Sequence, residues 1–241
     1  MTRPAVTPPA PTKRTRRRAS RGSGEQLHAE IIAATKELLA ESASSDAVSI
    51  RSVADAVGVT SPSIYLHFAD KEALIEAVVA DVFAELDAAM VAAAGAVDKP
   101  LEKLCAFGLA YVQFAIEHPE HYRIATMGQG GTAKGAEAGH LDHVLADSAF
   151  THFMSTVADC MSAGIFAAGD PVPVTLELWA AAHGIASLMV AKPFLPWGDK
   201  MKTANDVLRA AALGHAVNDL MGGDMTPAEV DAWLARQRKR R

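Results

Sequence analysis

The sequence predicts an all-α fold, on three observations. Alanine, leucine and glutamate dominate segments whose apolar residues recur at helical period. Alternating β-branched and polar runs, the mark of strands, are nearly absent. Proline and glycine punctuate the periodic segments. At 241 residues, half of them hydrophobic, the chain can build one large or two small domains with ample core.

The elements follow in order. Residues 1–24 hold Arg3, Lys13, Arg14, Arg16, Arg17, Arg18 and Arg21, no acid and several prolines. That composition predicts a disordered basic arm. The next helix is expected over Glu25–Glu41. Ser49 caps a short helix in which Ile50, Val53, Ala54 and Val57 share one face. Gly58 follows, where a left-handed turn needs no Cβ. Val59 can plug the angle between two helices. Thr60 or Ser61 caps the second, and Pro62 suits its first turn. That helix is expected to run to about Phe68, with Ile64, Leu66 and Phe68 packing inward. Ser61, Ser63, Tyr65 and His67 are left to face outward. The pattern is the outline of a helix-turn-helix that reads DNA.

Asp70 caps a linking helix over Lys71–Ala94, and Pro100 opens another to about Glu117. His118-Pro119 starts a short helix through Thr126. A glycine-rich loop spans Gly128–Gly139, and a long helix is expected over His140–Ala168. Further helices are expected over Val174–Ala191 and Thr203–Met221, separated by a loop with Phe194 and Trp197. Thr226-Pro227-Ala228-Glu229 is a capping box that opens a last short helix to about Arg236. The expected division is therefore an arm (1–24), a three-helix DNA-binding domain (25–70), a larger helical ligand-binding and dimerisation domain (71–223), and a short helix with a basic tail (224–241).

Gly58-Val59-Thr60-Ser61-Pro62-Ser63-Ile64-Tyr65-Leu66-His67-Phe68, followed by Asp70-Lys71-Glu72-Ala73-Leu74, resembles the tetracycline-repressor (TetR) family of bacterial regulators. The resemblance covers Glu25 to about Val79. It implies base contact by Arg51, whose fork fits guanine, and by Ser61 and Ser63. It implies phosphate contact by Tyr65, His67 and Lys71, the last from a helix N-terminus. Trp179-Ala180-Ala181-Ala182-His183-Gly184 resembles a Trp-x-x-x-His-Gly signature of one class of C-terminal domains in that family. His118-Pro119-Glu120-His121-Tyr122-Arg123 suits the same class. This looser resemblance covers about residues 100–220. It implies a ligand-binding, dimer-forming domain, a homodimer, and a near-palindromic double-stranded operator.

Candidate pocket residues are Phe107, Tyr111, Phe114, Met127, His152, Phe153, Trp179 and His183, with Met154 and Phe166 as further apolar groups. An apolar set with a few polar groups suits a small hydrophobic or aromatic effector. The same stripes also suit plain core packing. Small residues at Ala180–Ala182, Gly184, Ala186, Ala210–Ala212 and Gly214 allow close helix approach at a dimer interface.

Charge sharpens the expectation. Residues 25–94 hold Lys36, Arg51 and Lys71 against twelve acids, while DNA affinity rests largely on phosphate neutralisation. Arg16, Arg17 and Arg18 in the arm are therefore expected to meet the DNA backbone or minor groove. Cys105 and Cys160 read as buried thiols. No apolar run reads as a membrane span and no signal peptide is recognised, so a cytoplasmic protein without a membrane partner is expected. No phosphate loop, nucleophile elbow or zinc-protease spacing points to an enzyme, and no cofactor is called for. The alternatives are a DNA-binding regulator or architectural protein with no small ligand, and a metal-responsive regulator using His118/His121 or His140/His143 with Asp142 and Asp147.

Overall fold

The computed structural model describes residues 23–42, 48–126, 148–223 and 226–239. Arg16, Arg17, Arg18, Met127, the stretch Gly128–Gly139, and His140, Asp142, His143 and Asp147 lie outside the described residues. Ten helices are found among the described ones: α1 (Ser23–Ser42), α2 (Ile50–Val57), α3 (Ser61–Tyr65), α4 (Lys71–Gly95), α5 (Pro100–Glu117), α6 (Pro119–Thr126), α7 (Ser148–Ser162), α8 (Pro171–Ala191), α9 (Lys200–Leu220) and α10 (Pro227–Arg238).

Most helix boundaries follow from local chemistry. Ser49 and Ser52 form a reciprocal capping box at the start of α2. Asp70 accepts from the Ala73 N–H at 2.8 Å to open α4. Asp170 and Asp199 do the same for α8 and α9, extending both further toward the N-terminus than sequence periodicity suggested. Each such cap contributes about 1 kcal/mol. Helix α7 ends at Ser162, well short of Ala168, because Gly164 adopts a left-handed φ of 69° and turns the chain.

Two apolar cores organise the chain. The first joins α1, α2, α3 and the start of α4 around Ile31, Leu39, Val53, Ile64, Phe68, Leu74 and Val78. The second joins the rest of α4 with α5 to α9. Helix α4 serves both. Its buried residues are Leu74, Val78, Val82, Leu86, Met90 and Ala94, one every four positions. At 3.6 residues per turn that line winds about 40° around the helix with each step. One continuous helix can thus face the first core near its N-terminus and the second, from another side, further on.

Helix α8 corrects one expectation. By length and composition it is apolar enough to cross a membrane. Its Val174, Leu178, Ala182, Ile185, Ala186, Met189 and Val190 are buried in the second core, against α5, α7 and α9. It is the central helix of a helical domain.

Candidate functional site

The helix-turn-helix is built tightly. Gly58 has φ 76°, and its N–H bonds back to the Ala54 carbonyl. A residue with a Cβ would cost about 1–2 kcal/mol there. Val59 packs against the first core. Ile64 is fully buried and Phe68 nearly so, which fixes α3 against α1 and α2. His28 stacks on Phe68 at 4.6 Å and lies 5.9 Å from the His67 ring, so His67 is held on the flank of the unit.

Arg51 and Tyr65 are exposed, while Ser61, Ser63 and Lys71 are partly so. Thr60 occupies the N-cap of α3, yet its hydroxyl bonds the Ser63 hydroxyl at 3.0 Å instead of a backbone N–H. Ser63 is therefore oriented by its neighbour. Leu66 departs from the sequence reading: it is 86% exposed. Ile64, Leu66 and Phe68 alternate like strand residues, but on a helical turn positions two apart face opposite ways. Leu66 instead stands beside Tyr65 on the outer surface, as an apolar group the sequence reading missed.

Lys36 of α1 is no longer available to DNA. Its ammonium is bonded to Asp81 and, at 2.7 Å, to Glu85 of α4, and its side chain is only 11% exposed. Of the three cations in residues 25–94, Arg51 and Lys71 remain.

The second core contains a buried polar cluster. His183 Nδ1 lies 3.0 Å from the Tyr111 hydroxyl and 2.9 Å from the Tyr122 hydroxyl. Tyr122 also meets Ser187 Oγ at 3.0 Å, and Ser187 lies 3.2 Å from His183 Nε2. Trp179 stands one turn before His183, with ring centroids 6.1 Å apart. Burial pushes the Tyr111 hydroxyl strongly upward in pKa and the His183 imidazole below its ordinary value. Hydroxyls thus surround an imidazole whose charged form burial disfavours. The sequence places Tyr122 only within the His118–Arg123 stretch; its bond to His183, 61 positions away, leaves no signal in spacing.

The other candidate pocket residues divide. Phe107 and Phe153 stack at 5.9 Å, and Phe114 is buried beside His118. His152 stands apart, half-exposed at the α4–α7 surface, with Nδ1 2.8 Å from Asp87 Oδ1. An apolar cavity of about 20 Å³ lies among Leu104, Phe153, Leu178 and Leu208, room for about one water. Cys160 is buried and its thiol is pushed up to about 11; Cys105, half-buried rather than enclosed, is also raised by burial. Among the described residues no group of three or more His, Cys, Asp or Glu side chains is arranged to hold a metal ion, and His118 and His121 stack face to face at 5.7 Å.

Helix α6 joins the two cores. Tyr122 faces the polar cluster, and Ile124 packs into the first core. His121 of α6 faces the Lys36–Glu85 pair: its buried Nδ1 is 3.5 Å from Glu85 Oε2, within ion-pair reach but without hydrogen-bond geometry. Burial lowers the His121 pKa, and Lys36 and His118 lower it further, outweighing the pull of Glu85.

These shifts set a pH dependence. Both His121 and His183 hold their protons less firmly in the fold than in the unfolded chain. As pH falls through the ordinary histidine value of about 6.5, the unfolded state takes up protons first. Stability is therefore expected to fall as pH drops from about 7.5 toward 5.5. In thermal unfolding, the double variant His121→Gln, His183→Gln should show a flatter dependence of Tm on pH. An unaltered pH slope would exclude these two groups as its source.

Two family models match the chain. One, described as bacterial regulatory proteins of the tetR family, covers residues 31–78; the other, a tetracyclin repressor-like C-terminal domain, covers residues 104–212. No protein of curated function matches. Among solved structures, a protein of unknown function from Rhodococcus sp. RHA1 is 25% identical, over 79% of this chain and 95% of its own, with a TM-score of 0.66. A tetR-family regulatory protein from Rhodococcus RHA1 is 19% identical over 79% and 97%, with a TM-score of 0.59. The fatty acid degradation regulator FadR from Bacillus halodurans is 16% identical over 78% and 98%, with a TM-score of 0.65.

Proposed function

This chain belongs to the TetR family of bacterial transcriptional regulators, and from that premise we propose that it is a dimeric repressor released from a near-palindromic operator by a small hydrophobic or aromatic effector. The observation that carries the DNA-binding part is the outward group on the helix-turn-helix: Arg51, Tyr65 and Leu66 exposed, with Ser61, Ser63 and Lys71 partly open, around a closed core. Arg51 then reads a guanine edge, and Leu66 supplies apolar contact of the kind that suits a thymine methyl. Tyr65, His67 and Lys71 hold phosphates.

Dimerisation rests on the outer faces of α8 and α9. Leu176, Ala180, Gly184 and Leu188 form a line at four-residue spacing on α8, and Val207, Ala210, Leu213 and Gly214 line α9. The expectation that Ala182, Ala186 and Ala212 also meet the partner is revised, because all three are buried within their own chain. Two-fold pairing would hold the recognition helices about 34–36 Å apart, one DNA turn.

The coupling rests on α6. An effector that disturbs the Tyr111–His183–Tyr122 cluster acts on the same helix whose Ile124 supports the first core. A small rotation of that helix changes the seat of α4, and with it the register of the two half-sites.

The test is operator selection from random duplexes with the full-length protein, followed by binding at several salt concentrations. A two-fold symmetric site is expected. Arg51→Ala should cost about 1–3 kcal/mol and relax specificity at one base. Lys71→Ala should weaken all sequences alike and reduce the salt slope by about one per half-site. Selection that returns no consensus, or Arg51 and Lys71 variants with unchanged affinity, would overturn this reading.

A further inference from the structure

A second concavity lies outside the polar cluster, where the ends of α5 and α8 meet the starts of α6 and α9. It measures about 180 Å³. Ile116, Met189 and Val190 give it an apolar wall, with Met189 and Val190 almost wholly buried beneath it. Its charged rim is Glu120, Arg123 and Lys200.

The charge is unbalanced in a specific way. Both carboxylate oxygens of Glu120 are bonded to a single guanidinium nitrogen of Arg123, at 2.6 and 2.8 Å. The acid is committed, while the other Nη and Nε of Arg123 are not used in that pairing. The Lys200 ammonium has no hydrogen bond or ion pair among the described residues. Lys200, with an uncommitted ammonium, and Arg123, with guanidinium nitrogens that Glu120 does not use, thus line a concavity with an apolar floor.

We infer that this concavity is a binding site for a small monocarboxylate with one ring or a short aliphatic body. Arginine presents a planar fork that matches a carboxylate, and lysine adds a point charge beside it. The size is right for such a molecule: an engineered apolar cavity of about 150 Å³ takes benzene. A neutral apolar molecule of the same size would leave both cations unanswered. The site shares α6 with the polar cluster but uses a different face of it. Pro119, Glu120 and Arg123 point to the concavity, while Tyr122 points to the cluster and Ile124 to the first core.

The test is calorimetric titration of full-length protein with benzoate and hexanoate, against benzyl alcohol as an uncharged analogue. It needs no DNA, so its outcome is independent of the regulatory reading. Saturable binding of one benzoate per protomer is expected, at least tenfold tighter than benzyl alcohol and weakened by added salt. Lys200→Gln should weaken benzoate binding roughly tenfold, with Arg123→Gln doing the same and benzyl alcohol little changed in either. Lys200 lies at the first turn of α9 with its ammonium unpaired, so its variant should fold as the parent does, which circular dichroism checks. Benzoate binding unaltered in both variants, equal binding of benzyl alcohol, or no saturable heat up to about 10 mM would each overturn the inference.

Discussion

Gly184→Glu is expected to turn the dimer into a monomer and to lower operator affinity by roughly 100-fold or more, about 2.8 kcal/mol. Gly184 stands mid-helix in α8, and a Cβ built there meets no atom within 4 Å. Within one chain, nothing requires a glycine at that point. A helix-interior glycine costs roughly 0.5–1 kcal/mol relative to alanine, so replacing it should not weaken the isolated fold. The open space is explained if another helix approaches closely there, between Ala180 and Leu188. Two glutamates, one from each copy, would then be driven together across the two-fold, where like charges cost several kcal/mol. A monomer reads one half-site only, which removes the second recognition helix from the binding energy. Gly214 on α9 has the same open environment, and Gly214→Glu should behave alike. Sedimentation velocity gives the mass and operator titration the affinity. A Gly184→Glu protein that stays dimeric with parental affinity would remove α8 from the interface.

That prediction depends on a distinction the sequence could not make. Small residues occur all around α8 and α9, so composition marks both helices as closely packed without saying which face meets which neighbour. Ala182 and Ala186 turn out to serve the chain's own core, whereas Ala180 and Gly184 lie on the outer line. Six helix ends, by contrast, were legible, because Ser49, Gly58, Asp70, Pro100, Pro119 and Thr226 act through their own backbone within a few residues; the end of α3, at Tyr65 and not Phe68, was not. Contacts between residues far apart in sequence were not. The Lys36–Asp81 pair spans 45 positions and the Tyr122–His183 bond spans 61. Neither periodicity nor spacing carries such information. Leu66 faces outward for a different reason: Ile64 and Phe68, four apart, share the inner side of a helical turn, and the residue midway between them points away.

Deleting residues 1–24 is expected to flatten the salt dependence of operator binding and to cost roughly 100-fold or more in affinity near physiological salt. The Lys36 geometry makes this sharper than charge counting alone. With Lys36 held by Asp81 and Glu85, residues 25–94 offer Arg51 and Lys71 against a large excess of acids. In a dimer those are four cations, so the slope in log affinity against log salt would be no steeper than about −4 even if all four neutralised phosphate, at about 0.9 per phosphate. Such a slope is shallow for a specific regulator, and the surrounding acids oppose even that. Residues 1–24 bring seven cations and no acid per protomer. If half of them reach phosphate or the minor groove, the full-length slope approaches about −10. The deletion should return it to about −4 or shallower for specific and random duplexes alike. Replacing Arg16, Arg17 and Arg18 together by alanine should flatten the slope by up to about five units across the dimer, with base preference unchanged. Equal slopes for the full-length and shortened proteins would mean that Arg51 and Lys71 suffice, and that the segment has no part in reading DNA.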